Sequence, residues 1–363
     1  MDFKGLDLNL LVVLDVLLEE KNITRTGQRI HLSQSATSGA LARLREFFQD
    51  EILVQVGHRM VLTPLGDDLV RPVRELLMQA RAVIDKTPAF NPLTSTRRFT
   101  LMLSDYVAAI LLPSAIQRMQ RDAPSVGLEL ITLTDSPTEM LERGDMDFLI
   151  IPEIYLSPAH PSEELFKDRY ACVVWAENPL VGDTISMEQY LSLGHVGLRF
   201  GKQRSQSLDD WFLSQSGHMR RVEIITMDFN LMPQLLIGTS RVATMHRRLA
   251  DHYARQLPLR ILEPPIEMPV LIEKLSWHSY RDQDPGHQWF RGILREAAAE
   301  IYAAHPGKEP RLSAGEKTPE PPIAPEAQRN FPPTRDYGSR DEALQSRVDS
   351  KQKTTRKRRI QSR

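Results

Sequence analysis

Asn22-Ile-Thr-Arg-Thr-Gly-Gln-Arg-Ile-His-Leu-Ser-Gln-Ser-Ala-Thr-Ser-Gly-Ala-Leu-Ala-Arg-Leu-Arg45 is the stretch that decides the reading of this chain. From Lys21 to Arg45 there are five Lys or Arg residues and no Asp or Glu. Asn22 can cap a helix over 23–30 and Ser33 another over 34–48, so the stretch predicts two short helices around a tight connection. In the second of them Ala36, Ala40, Leu41, Leu44 and Phe48 recur at helical spacing and are expected to face a core. Ser35, Thr37, Ser38, Ala42 and Arg45 then face outward or flank that stripe. Little bulk, many hydrogen-bonding groups and cations at the edges are what a helix needs to lie in the major groove of DNA. The acids stand outside, at Asp2, Asp7, Asp15, Glu19 and Glu20 before the window and Glu46, Asp50 and Glu51 after it. The charge is that of a face rather than of a basic protein.

Working outward, Leu6, Leu10, Val13, Leu14, Leu17 and Leu18 give one apolar face of a preceding helix over 6–20. After the window, Ile52–Val56 and Met60–Leu62 are two β-prone runs joined by Gly57-His58-Arg59, a hairpin or wing behind a helix-turn-helix. Thr63-Pro64 supplies a cap and a first-turn proline for another helix, and Pro72 marks a kink or a later start in it. There Leu69, Val73, Leu76, Ala80 and Val83 recur at alternating steps of four and three, with Leu77 and Ile84 widening the stripe. That heptad predicts pairing with a second subunit; the plainer alternative is an amphipathic helix packed on its own domain. Thr87-Pro88 and Asn91-Pro92 punctuate a linker.

Bulk composition mainly excludes. The chain has 363 residues, enough for two or three domains, and a formal net charge of −1, which rules out a polycation. A lone cysteine, Cys172, cannot form an intramolecular disulfide and favours a reducing compartment. Asp15 interrupts the run Leu8–Leu18, no small-residue cleavage site follows, and no stretch reaches the roughly 18 apolar residues of a membrane span. A cytoplasmic protein without a membrane association is expected.

From Arg98 to about Ala304 strands and helices alternate. Phe99–Leu103, Leu128–Leu133, Asp147–Ile151, Ala171–Trp175, Val196–Phe200, Val222–Thr226 and Arg241–Met245 read as strands. Helices are expected over Asp105–Arg121, after a Ser136-Pro137-Thr138-Glu139 capping box, through Leu208–Leu213, and over 229–237 and 246–254. The alternation predicts a parallel-rich α/β architecture that binds its ligand at the carboxyl ends of strands. After His305 the chain is rich in Pro, Lys, Arg, Glu and Ser and ends in the basic block Lys351–Arg359. Disorder is expected there, either as extra electrostatic grip on DNA or as a solvated extension.

Helix-turn-helix, wing, pairing helix and α/β domain, in this order, resemble the LysR-type bacterial transcriptional regulators. The residues that carry the likeness are Leu6-Asp-Leu-Asn-Leu10, Leu32-Ser-Gln-Ser-Ala-Thr-Ser38, Leu44-Arg45 and Leu62-Thr-Pro-Leu-Gly66. Phe3–Leu11, Trp277-His278 and Asp284-Pro-Gly-His-Gln-Trp-Phe-Arg291 resemble most its nodulation-gene-activator and aromatic-catabolism subgroup. The likeness covers roughly residues 3–304. It departs at Thr26-Gly27, where a small alanine pair is usual and Gly should cost about 1 kcal/mol of helix stability, and at Ser35, often Pro in the subgroup. The resemblance implies a winged helix-turn-helix over 1–63, a linker or dimerisation helix and hinge over 64–94, and an effector-binding domain over 95–304, with the tail at 305–363. The effector domain would resemble a periplasmic binding protein, two α/β subdomains around a cleft. It further implies a dimer of dimers on double-stranded promoter DNA that activates a bacterial operon through RNA polymerase, can repress its own gene, and takes flavonoids or other small aromatic compounds as inducers.

Gln34 is the side chain expected to read a base, since its amide can pair bidentately with adenine. Ser35, Thr37 and Ser38 can contact bases or phosphates, Ser33 stands beside them as the cap, and Arg29, Arg43, His58 and Arg59 are the expected phosphate anchors. In the effector domain Ser104 follows the first strand and heads a helix, matching a ligand-contacting position of the resemblance. Thr132, Thr134, Phe200, Gly201 and Phe229 sit at other strand ends. His278, Asp284 and His287 lack the tight spacing of a metal set, and Asp284-Pro285 reads better as a helix cap; no cofactor is expected. No Gly-rich phosphate loop is present and Cys172 lies in an apolar strand, so an enzyme is not expected. The rival from another class is a cytoplasmic small-molecule sensor or solute-binding protein whose N-terminal helices bind protein; clustered cations without acids argue against it.

Overall fold

The structure, a computed structural model, describes residues 6–57, 59–84, 90–201 and 205–303. His58, Phe3-Lys-Gly5, the Thr87-Pro88 linker and the tail, all given roles above, lie outside those residues.

Helix caps written in the sequence set the N-terminal unit. Asp7 accepts from the Leu10 N–H (2.8 Å) to start α1 (Leu8–Glu20), Asn22 from the Arg25 N–H (3.0 Å) to start α2 (Ile23–Arg29), and Ser33 from the Ala36 N–H (3.2 Å) to start α3 (Gln34–Phe48). Antiparallel β1 (Leu53–Val56) and β2 (Arg59–Leu62) form the wing. The expected stripe of α1 is buried on Leu41, Leu44, Ile52, Leu53 and Val73. Ile52 takes φ 63°, a strained conformation for a β-branched residue. It is held by its N–H donating to Asp50 (2.6 Å) and its carbonyl accepting from the Thr63 N–H (2.9 Å). A Cβ at Gly66 would sit 2.5 Å from that same carbonyl, which gives Thr63-Pro-Leu-Gly66 its physical meaning. α4 (Pro64–Ile84) is one helix from Pro64 onward, so Pro72 does not begin it.

The expected pairing stripe on α4 divides. Val73 is buried, and Leu69 and Leu77 pack against the core of their own unit, so these three serve the plainer alternative. Leu76 and Val83 remain exposed, with Ile84 beside them, and Ala80 is half-buried.

Gly27 corrects an expectation based on propensity alone. A Cβ there would lie 2.8 Å from the Leu32 carbonyl oxygen and 2.9 Å from Thr37 Oγ1, because α2 and α3 approach that closely. Despite a helix-propensity gain of about 1 kcal/mol, Gly27→Ala should therefore destabilise by about 1–3 kcal/mol. Thermal melting checks this, and an unchanged or higher Tm would show that Leu32 and Thr37 yield without cost.

Two mixed sheets follow. The first has the order β4 (Gly127–Thr132), β3 (Arg98–Leu103), β5 (Phe148–Pro152), β13 (Leu271–Trp277), β6 (Ser162–Asp168). The second has β10 (Arg221–Thr226), β8 (Gly194–Phe200), β11 (Val242–His246), β7 (Tyr170–Trp175), β12 (Leu259–Leu262), with β9 (Ser205–Gln206) on β8. β3, β4 and β5 are parallel, as are β8, β10 and β11, whereas β6, β7, β12 and β13 join antiparallel. The architecture is α/β with two subdomains, as expected, but less parallel than the alternation predicted. The helices are α5 (Asp105–Asp122), α6 (Pro137–Glu142), α7 (Met187–Ser192), α8 (Leu208–Gln215), α9 (Arg247–Ala254) and α10 (Pro285–Ala303). Ser136 makes no side-chain cap bond, so the predicted capping box does not form, and 229–237 is two 3-10 turns around Pro233 rather than a helix.

The chain passes between subdomains at Asp168–Tyr170 and returns between β12 and β13. The N-terminal unit meets the first subdomain through Glu19, which pairs with Arg29 (3.0 Å), Arg74 (3.8 Å) and Arg143 (2.9 Å), and through Gln79, which donates to the Tyr280 hydroxyl (2.9 Å). Among the described residues no helix is long and apolar enough to cross a membrane.

Candidate functional site

Two places bring the expected residues together. The first is the outer face of α3, where Gln34, Ser35, Ala36, Ser38, Gly39, Ala42 and Arg43 are exposed opposite buried Thr37, Leu41 and Leu44. A Cβ on Gly39 would meet nothing within 4 Å, so the middle of this face is flat and open. Ser33 accepts from the Ala36 N–H as the cap and lies 3.0 Å from Ser35 Oγ. Arg43 keeps a largely exposed side chain 3.5 Å from Asp7, and Arg59 stands exposed at the start of β2.

Two expected DNA-facing residues are placed elsewhere. Thr37 is buried, donates to the Ser33 carbonyl (3.0 Å) and fills the space that Gly27 leaves. Arg29 is engaged by Glu19 (3.0 Å) and Glu20 (3.1 Å), so it joins helices instead of presenting an unneutralised charge. Arg45 likewise donates to the Glu51 and Leu53 carbonyls, both at 2.9 Å, and staples α3 to the wing.

The second place is where the two sheets meet, at the carboxyl ends of parallel strands. Ser104 ends β3 and caps α5 by accepting from the Val107 N–H (3.2 Å). The next residue, Asp105, reaches the other subdomain and accepts from the Asn230 backbone and side-chain amides, both at 2.8 Å. Tyr253 donates to the Asn230 side-chain carbonyl (3.1 Å), so the bridge is held from behind. At the other margin Gly201, at φ 64°, lies so close to Asp135 that a Cβ would overlap the carboxylate. Phe200 and Phe229 face each other with ring centroids 5.7 Å apart. Thr132 is exposed at the end of β4, whereas Thr134 turns its hydroxyl to Met140 Sδ (3.6 Å) of its own subdomain.

Sequence reasoning missed the buried cluster behind these residues. Tyr106 donates to Asp168 (2.7 Å), and its ring lies 4.2 Å from that of His246, which also neighbours Phe229 (4.9 Å) and Tyr170 (5.1 Å). Burial pushes Asp168 up to about 6 despite the hydrogen bonds it accepts from Tyr106 and from the Arg169 and Arg248 amides. Burial alone pulls His246 down to about 3, so it is neutral. Glu273 on β13 is buried as well. The only signal for it was an acid at an inward position of an alternating strand.

The residues weighed as a metal set have other duties. His287 bonds Asp147 (2.8 Å), Asp284 caps α10 by accepting from the His287 N–H (2.9 Å) and pairs with Arg97 (2.7 Å), and His278 accepts from the Tyr280 N–H (3.2 Å). Cys172 is buried, which pushes its thiol up to about 12 and suits it to packing.

Two family models match this chain, one over each part. Residues 8–67 match the bacterial regulatory helix-turn-helix protein of the lysR family, and residues 94–299 match the LysR substrate binding domain. The chain is 42% identical over 305 residues to Nodulation protein D of Bradyrhizobium sp. (strain ANU 289), covering 84% of this chain and 90% of that one. It is 44% identical over 308 residues to Nodulation protein D 2 of Rhizobium leguminosarum bv. phaseoli, covering 85% and 97%. Among solved structures, a probable transcriptional regulator from Pseudomonas aeruginosa superposes with a TM-score of 0.56 at 28% identity, over 80% of this chain and 97% of that one. A full-length OxyR variant from the same organism shares the fold with a TM-score of 0.61 at 17% identity, over 84% and 99%.

Proposed function

This chain belongs to the LysR family of bacterial transcriptional regulators, DNA-binding proteins and not enzymes, and we propose that within it the protein is an inducer-dependent activator answering to a small aromatic or phenolic effector. What supports the effector class is the aromatic cluster where the two sheets meet, in which Tyr106, Tyr170 and Phe229 lie around His246 and Phe200 lies against Phe229. In the proposal Gln34 reads a base, Ser35 and Ser38 add contacts, and Arg43 and Arg59 hold phosphates, with His58 completing the wing. Ser104, Thr132, Phe200, Gly201 and Phe229 line the effector site. Leu76 and Val83 on α4 pair two subunits, two pairs assemble on promoter DNA in the cytoplasm, and the bound assembly recruits RNA polymerase. The same operator contact can repress the regulator's own gene.

The test is a footprint on the intergenic DNA beside the protein's own gene, with and without a panel of aromatic compounds. A protected region that shortens or shifts with one compound is expected. Protection indifferent to every compound would sink the effector class, and no protection at low salt would favour the sensor reading. At fixed salt, Gln34→Ala should relax sequence preference, whereas Arg43→Ala should weaken binding to all sequences and reduce the salt slope by about one unit. Unchanged operator preference in the Gln34 variant would remove it from base reading.

A further inference from the structure

Arg143-Gly144-Asp145, the turn that closes α6, touches the DNA-reading unit. Gly144 takes φ 68° and its N–H donates to the Leu141 carbonyl (3.0 Å), so the chain reverses there in a tight, left-handed step. Arg143 Nη1 donates to Glu19 Oε1 (2.9 Å) at the end of α1. The other oxygen of Glu19 faces Arg29 of α2 (3.0 Å) and Arg74 of α4 (3.8 Å), and Arg74 also pairs with Asp15 (3.3 Å). One carboxylate thus gathers cations from two helices of the reading unit and from the effector domain. Beside it Met78 of α4 lies over Gly144, where a Cβ would come within 2.8 Å of the methionine methyl.

A second tie lies on the same helix. Gln79 of α4 donates to the Tyr280 hydroxyl (2.9 Å), and the Tyr280 ring is stacked on His278 with centroids 4.8 Å apart. One tie would let the reading head pivot about it; two ties on different elements fix its angle. An isolated surface ion pair contributes little, but here the Arg74 and Arg143 side chains are only 14% and 29% exposed and share a network. Gln34, Ser35 and Ser38 on α3 remain exposed, so the contact leaves the DNA face open. It orients the head without blocking it.

Resting on the paired-subunit reading above, we propose that Arg143, acting through Glu19, is a positioning residue that sets the half-site spacing this regulator accepts. When one head of a pair is bound, the second binds at an effective concentration set by how narrowly its position is confined. A head held at a fixed angle loses little freedom on an operator of matching spacing and fits poorly on any other. A loosened head loses affinity at the matching spacing and tolerates the rest.

The experiment measures binding of the full-length protein to labelled duplexes by fluorescence anisotropy. The duplexes carry one half-site, the operator defined by the footprint, or that operator with base pairs inserted one at a time between its half-sites. Wild type should bind tightly only at the natural spacing. Arg143→Glu sets a carboxylate against Glu19 and should keep half-site affinity within about twofold, lose about fivefold to tenfold on the operator, and flatten the spacing profile. Arg143→Lys should regain most of the preference, because the bond to Glu19 uses a single nitrogen that an ammonium can replace. Damage to the fold alone would instead lower half-site and operator affinity in step. A wild-type spacing profile in Arg143→Glu, or equal losses on half-site and operator, would overturn the positioning role and leave the paired reading intact. Arg143→Lys matching Arg143→Glu would overturn it too, since charge would not be the cause. Wild type binding one half-site as tightly as the operator would remove the paired reading, and the spacing role with it.

Discussion

Replacing Arg220 by Met should cost about 3–5 kcal/mol, the largest single loss expected in the effector domain. The Arg220 side chain is 1% exposed and pairs with Asp209 (2.8 Å) and Asp210, while donating to the Tyr190 hydroxyl (3.1 Å). Its removal would strand two nearly buried carboxylates on α8, with Arg199 left to serve Asp210. Burial raises the Asp210 carboxyl, but Arg220 and Arg199 outweigh it and hold the group below its ordinary value. A lowered folded-state pKa contributes stability that is present above the ordinary carboxylate range of about 4 and is lost as pH falls through the lowered value. Without Arg220 the burial of Asp210 is opposed by Arg199 alone and the carboxyl moves up. The variant's deficit should then be full near pH ~7 and shrink toward pH ~5. Urea unfolding at both pH values checks this. An equal deficit at each would mean that lost packing, not stranded charge, is responsible.

Gly39→Glu should abolish operator binding, by about a hundredfold or more, in a protein at least as stable as wild type. Gly39 lies at the middle of the outer face of α3, flanked by Ser35, Ser38 and Ala42, with open space where a side chain would go. Any ordinary residue there improves helix propensity, by roughly half a kcal/mol or more. A carboxylate on that face would meet the negative potential of the groove and phosphates. Gly39→Ala serves as the control, with raised Tm and only a modest loss of affinity. Filter binding at two salt concentrations separates charge from bulk, since the penalty of the acid should fall at higher salt. Operator binding that survives Gly39→Glu would place the DNA-reading surface elsewhere.

The two halves of the molecule were unequally legible in the sequence. The N-terminal unit was readable because its signals are local: Asn22 and Ser33 cap the helices they precede, and α1 carries its apolar stripe unbroken. What failed there was an effect of three dimensions, for Thr37 looked like a surface residue until α2 approached it at Gly27. In the effector domain the strands rich in Val, Ile and Leu were found, and β6, β9, β12 and β13 were not. β6 and β12 lie at sheet edges, and the Ser-Glu-Glu of β6 shows no apolar alternation. β13 lies inside its sheet, but Glu273 stands where a third apolar residue would have revealed the period. Ser104 was found because it is a helix cap, whereas the Asp105–Asn230 bridge joins residues too far apart in the chain for any local pattern.

The return of β13 to the first sheet also orders events during synthesis. β5 and β6 flank β13 and pair with it. Until residues 271–277 leave the ribosome, both strands present edges with no neighbour between them, the kind of surface on which incomplete chains stick together. The N-terminal unit needs no residue beyond α4 for its own core. A growing chain therefore completes the part that grips DNA long before the part that senses, and it has a DNA-reading head at a time when no inducer can yet be bound. Control by a small molecule is the last property the polypeptide acquires, so mistakes late in folding would yield regulators that bind their operators and cannot be told to let go or to act.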